Sequence, residues 1–159
     1  MVRTSSLSFL SLFLFATSGL AQDAPNVISR ARGAERVVVG TVDRVVPMAI
    51  QNEYGDQLII SRTTVVVEEA LQGSPTETLT VDIEGGTLDD LTLEVSDMPS
   101  MKQGDRGVFF LTRAAGDSHV LHRRGEGLLR LRQNEVVDRP GLTLDSIRRQ
   151  LATATRQEP

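Results

Sequence analysis

The chain has 159 residues, a formal net charge of −4 and no cysteine. That length supports one sizeable core, and the acidity argues against non-specific binding to nucleic acid or anionic membranes. Lack of cysteine excludes a disulfide framework, thiolate metal ligation and a thiol nucleophile.

Residues 1–21 have the layout of a secretory signal peptide. Arg3 gives a positive start, Leu7 to Ala16 is apolar, and Gly19-Leu20-Ala21 supplies small residues before Gln22. The apolar run is too short to span a bilayer. The chain is therefore expected to be exported, to the periplasm or beyond, with a mature start near Gln22. Residues 22–155 read as a single β-barrel domain and 156–159 as a frayed tail. No later segment has the length and apolarity of a membrane span. From Gln22 to Pro99 there are 14 acidic and 5 basic residues; from Ser100 to Pro159 there are 7 acidic and 11 basic. One folded domain would bring these halves together in space.

Asp23-Ala24-Pro25 predicts a helix start, with Asp23 as cap and Pro25 in the first turn, and Gly33 a stop. The chain to about Asp138 then reads as β. Arg36 to Val46 is rich in β-branched residues, with Val38, Gly40 and Val42 on one face. Gly40 inside that strand predicts a bend or bulge. A turn over 52–56 leads to a second long strand, Leu58 to Leu71, with Ile59, Thr63, Val65 and Val67 on one face. Thr78 to Ile83 alternates, with Leu79, Val81 and Ile83 inward. Gly85-Gly86 opens a loop to Asp90, and Leu91 to Val95 alternates again. After a loop over 98–105, Gly107 to Leu111 is apolar on both faces, which predicts a central covered strand. His119 to His122 begins another strand. Leu129 to Arg132 and Glu135 to Asp138 predict a hairpin about Gln133-Asn134 that sets Arg132 opposite Glu135. Thr143 is the expected cap of a last helix with Leu144, Ile147, Leu151 and Ala154 on one face. The fold class is thus mainly β: a small antiparallel OB-like barrel with short N-terminal and C-terminal helices.

Catalytic patterns are absent from the sequence: no Gly-x-Ser-x-Gly, phosphate-cradling glycine loop, His-Glu-x-x-His or Ser-x-x-Lys occurs. His119 and His122, three apart on a strand, point to opposite faces and cannot share a metal. Arg123, Arg124, Arg130 and Arg132 read as outward arginines paired with carboxylates such as Glu126 and Glu135. One Tyr, five Phe and no Trp leave little for a base-stacking platform. The candidate binding site is the acidic group Asp82, Glu84, Asp89 and Asp90 around Gly85-Gly86. Glycines there let backbone approach a partner, and the carboxylates suit a protein or peptide partner of basic character. The same carboxylates could instead hold Ca²⁺, although their spacing matches no calcium loop.

Four stretches in order resemble netrin-like, or TIMP-like, OB-barrel modules of the cysteine-free bacterial kind. Ala34 to Val42 is similar to their opening Val-rich strand with Gly-x-Val. Val67-Glu68-Glu69-Ala70-Leu71-Gln72-Gly73 resembles their second-strand ending, and Gly85-Gly86 their glycine loop. Gly104 to Leu111 resembles their Gly-Glu-x-Tyr-Leu-Leu-Phe-Leu strand. The resemblance implies a five-stranded barrel with terminal helices in an exported binding or regulatory module. Metalloprotease inhibition in that superfamily uses an N-terminal cysteine that chelates zinc. With Gln22 at the mature start and no cysteine, that activity does not carry over, and no catalytic residue does. The leading expectation is an exported non-catalytic binding module with no cofactor. The alternatives are a small exported enzyme or metal-dependent domain using the acidic group, and a structural subunit of an envelope assembly.

Overall fold

A computed structural model describes residues 24–52 and 54–156. The expected signal peptide, the Gln22 start, the Asp23 cap and the last three tail residues lie outside these. A short helix α1 (Ala24–Ala31) leads into β1 (Arg36–Gln51) and β2 (Gln57–Gln72). Next come β3 (Thr78–Glu84), β4 (Gly86–Leu88), β5 (Leu91–Leu93), β6 (Arg106–Arg113) and β7 (Ser118–Leu121). The chain closes with β8 (Leu128–Arg132), β9 (Glu135–Val136) and α2 (Leu144–Thr155).

The protein is mainly β with two helices. The main sheet runs β1-β2-β3-β7-β6-β8-β9, and β1 also pairs with β6, so five strands form a ring of pairings. The expectation of an all-antiparallel sheet is corrected at one seam: β3 and β7 are parallel, with Thr80 opposite Ser118 and Val81 opposite His119. Hairpin β4–β5 and strand β6 lie between them in sequence, and this excursion returns the chain in the direction of β3. The ring can close because β1 is long and irregular. Its register against β2 shifts three times, once at Val39/Gly40, so its first half serves both β2 and β6. A β-carbon on Gly40 would lie 2.5 Å from Val65 Cγ1 and 2.8 Å from the Val66 carbonyl oxygen, so only glycine permits this approach.

Alternation divides the apolar residues between two cores. Val38, Val42, Val65, Val81, Ile83, Phe109 and Leu111 fill the inside of the ring. Val37, Val39, Val108 and Phe110 point outward from the same strands and meet Val27 of α1 and Ile147 and Leu151 of α2. This is why Val108 to Leu111 is apolar on both faces and wholly buried. The last helix starts where expected, with Thr143 Oγ1 accepting from the Ser146 N–H at 3.2 Å. Arg148 fastens it to β2 through Glu69 at 2.6 Å. Arg132 does face Glu135, about a turn in which Gln133 is left-handed. No described helix is long and apolar enough to cross a membrane.

Candidate functional site

The segment after Gly85 is a hairpin of its own rather than a loop. β4 and β5 pair only with each other, Leu88 opposite Leu91, around the turn Asp89-Asp90. Asp89 takes the left-handed backbone there, φ 52°, which Asp tolerates better than most residues. The hairpin leaves the ring at Gly85-Gly86, where the chain crosses close over β2. Ser61 Oγ donates to the Gly85 carbonyl at 2.8 Å, and the Gly85 N–H donates to the Ile59 carbonyl at 2.8 Å. Gly86 has φ 138°, and a β-carbon on it would lie 2.5 Å from Ser61 Oγ. The glycine pair therefore serves the crossing, and the hydrogen-bonding groups of Gly85 are used within the chain.

Beneath the hairpin lies a groove of about 560 Å³. Val45 and Pro47 of β1, Ile83 of β3, and Leu93, Met98 and Met101 line it, together with Gly85, Gly86 and the polar residues Ser61, Thr87, Thr92, Ser96 and Ser100. Met98 and Met101 also pack against the inner core, so the loop that follows β5 is anchored there.

The six residues singled out from the sequence occupy three different places. Asp82 faces away from the groove's lining and accepts two bonds from Arg62, at 2.8 and 2.9 Å. Glu84, Gly85 and Gly86 line the groove. Asp89 and Asp90 sit exposed at the hairpin tip. Among the described residues no group of three or more His, Asp or Glu is arranged to hold a metal ion.

Arg124 closes the corner beside Glu84. Its Nη2 donates to Glu84 at 3.0 Å and to Asp97 at 2.9 Å, and its Nε also donates to Asp97. The Arg124 guanidinium holds the Asp97 carboxyl below its ordinary range, and the two carboxylates raise the Arg124 pKa. Arg123 and Arg124 are both left-handed, each with φ 58°. The Gly125 N–H donates to the Asp97 carbonyl at 3.0 Å, pinning the same loop. Arg123 pairs with Glu126, as its class was expected to, at 3.2 Å. Glu94 is the remaining carboxylate in the groove. It is exposed and has no ion pair or hydrogen-bonding partner among the described residues. Sequence reasoning missed Glu94, Asp97, Met98 and Met101. Two methionines flanking Pro99 in a polar loop were the available signal.

The histidines lie apart, but not as two residues of one strand near the surface. His122, past the end of β7, lies 3.0 Å from Thr112 Oγ1 and 3.2 Å from the Arg32 carbonyl oxygen. His119 shares the inward face with Leu121, is 6% exposed, and has no hydrogen-bond partner on either ring nitrogen among the described residues. Burial lowers its pKa from the ordinary 6.5, and the cations Arg36 and Arg113 lower it further. The Thr80 backbone and, less so, Glu35 oppose this without reversing it. A histidine with a depressed folded pKa binds fewer protons folded than unfolded, so stability should fall as pH drops below 6.5. Denaturant midpoints at neutral and mildly acidic pH check this. His119→Leu should flatten the loss above about pH 5, where ordinary carboxylates remain ionised. An unchanged acid loss in His119→Leu would remove His119 as its source.

No protein-family model matches this chain, and no curated protein matches it.

Proposed function

We propose that this is an exported, non-catalytic binding module whose partner seats in the groove beside Gly85-Gly86. The observation that carries the reading is the groove itself: about 560 Å³, lined by apolar and polar side chains, with the carboxylate Glu94 lacking a partner among the described residues. Concave sites of this size with apolar walls and convergent polar groups are typical of ligand binding. Export rests on Arg3, the apolar run Leu7 to Ala16 and Gly19-Leu20-Ala21. We further infer that the ring is a small OB-type barrel of the netrin-like kind. Supporting this are the five-strand ring, the single parallel seam and the hairpin inserted between β3 and β6. Basic partners fit best, since Glu94, Asp89 and Asp90 lie on this side without cationic neighbours bonded to them.

Blocking the groove tests the assignment. Thr92 is exposed on β5 and lines the groove, and an aromatic residue suits a strand position. As bait in envelope extract, the parent protein should retain a partner that Thr92→Trp loses and Thr153→Trp, on the far face of α2, keeps. Lys102 follows the groove residue Met101 and is the only lysine in the chain. An amine-reactive cross-linker should therefore join it to the retained partner. Equal capture by Thr92→Trp would remove the groove from the function.

A further inference from the structure

We propose that the groove takes an extended peptide segment bearing an arginine or lysine next to an apolar side chain. This deepens the reading above and rests on the groove being the binding site. The site already displays how its carboxylates hold a guanidinium. Arg124 reaches Glu84 through Nη1 at 3.3 Å and Nη2 at 3.0 Å, and the same Nη2 reaches Asp97 at 2.9 Å. Arg124 thereby offsets one of that pair's two negative charges from within the chain. Glu94 lines the same groove with no partner among the described residues. A cation supplied from outside is the group that would complete it, and arginine does so with two parallel bonds.

The rest of the groove selects an apolar neighbour for that cation. Met98 and Met101 line it together with Val45 and Ile83. Unbranched thioether side chains repack around varied apolar groups, as surfaces that accept more than one peptide require. About 560 Å³ is room for several side chains rather than one. Recognition should run through side chains more than through strand addition, because Pro47 removes one backbone donor from the adjoining stretch of β1. Asp89 and Asp90 at the exposed hairpin tip would draw a basic segment toward the groove before it docks.

The test is fluorescence anisotropy of the purified exported protein with three short fluorescein-labelled peptides, at low ionic strength where charge effects are unscreened. One alternates Leu and Arg, one Leu and Glu, and one Ser and Arg. The Leu–Arg peptide should bind, the Leu–Glu peptide should not, and the Ser–Arg peptide should bind more weakly. Glu94→Gln should weaken the Leu–Arg peptide about tenfold, the loss expected for one charge-assisted bond. Asp117→Asn, which removes a carboxylate from the distant β6–β7 turn, should leave binding unchanged. Failure of the Leu–Arg peptide to bind, equal binding of the Leu–Glu or Ser–Arg peptide, or equal losses in Glu94→Gln and Asp117→Asn would overturn the proposal. If the Leu–Arg peptide fails while the Thr92→Trp bait still loses its partner, the partner chemistry is wrong and the groove stands. If that bait loses nothing, the groove falls as well.

Discussion

Phe110→Ala is expected to lower the unfolding free energy by about 3–5 kcal/mol. Phe110 has no exposed surface and lies in the outer core, between the sheet and the two helices. Strand β6 is hydrogen-bonded on both sides, to β1 across Val37 and to β8 and β7 on its other edge. The backbone around the ring therefore cannot collapse to fill the space a phenyl group leaves. A cavity that stays open costs more than the transfer of the lost atoms alone, which puts this site toward the upper part of the range. Urea denaturation with the slope held equal to the parent's gives the value. A loss under about 1 kcal/mol would show that the ring is not enclosed, since that is the range of ordinary surface changes.

Gly40→Val should destabilise by about 3 kcal/mol, the upper end for overpacking. The cost is steric. Gly40 does not have the positive φ that other side chains avoid, but a β-carbon there meets Val65 Cγ1 at 2.5 Å and the Val66 carbonyl oxygen at 2.8 Å. The second contact is to backbone held in the β1–β2 ladder, Gly40 opposite Val67 and Thr41 opposite Val66, so the neighbour has no room to retreat. Relief requires β1 to move away from β2 at the register shift that lets it serve two partners. Thermal melting of the variant measures the effect, and a midpoint equal to the parent's would mean that β1 does not bend at Gly40.

Several features were legible because they are local. Thr143 precedes a helical apolar stripe and caps it. Gln133-Asn134 sits between two alternating runs and turns them. Gly40 interrupts a β-branched strand and marks its bulge. Leu79, Val81 and Ile83 alternate with polar residues and point inward. Each depends on neighbours a few residues away, and the interactions that enforce it lie within the same span.

The candidate site was legible only in part, because its members come together from distant points. Arg62 and Asp82 are 20 residues apart, and Arg124 and Glu84 are 40 apart. Nothing in either neighbourhood says that they meet. Two of the four carboxylates that looked like one cluster are bonded by these arginines, and the other two are at a hairpin tip. Glu94 stands alone in the groove for the complementary reason: its surroundings are set by loop and strands that carry no common sequence pattern.

By itself, then, the sequence determined the strand faces, the helix cap, the turns and the burial of β6, since side-chain period and backbone conformational preference act over a few residues. Tertiary structure decided the parallel β3–β7 seam, the separation of Phe109 and Phe110 into two cores, the independent β4–β5 hairpin, and which carboxylates remain without a cation. Alternation says that a face is buried but not against what, and ion pairs follow from where the closed ring places side chains. Pairing partners are selected by the packing of the whole chain, which no local stretch encodes.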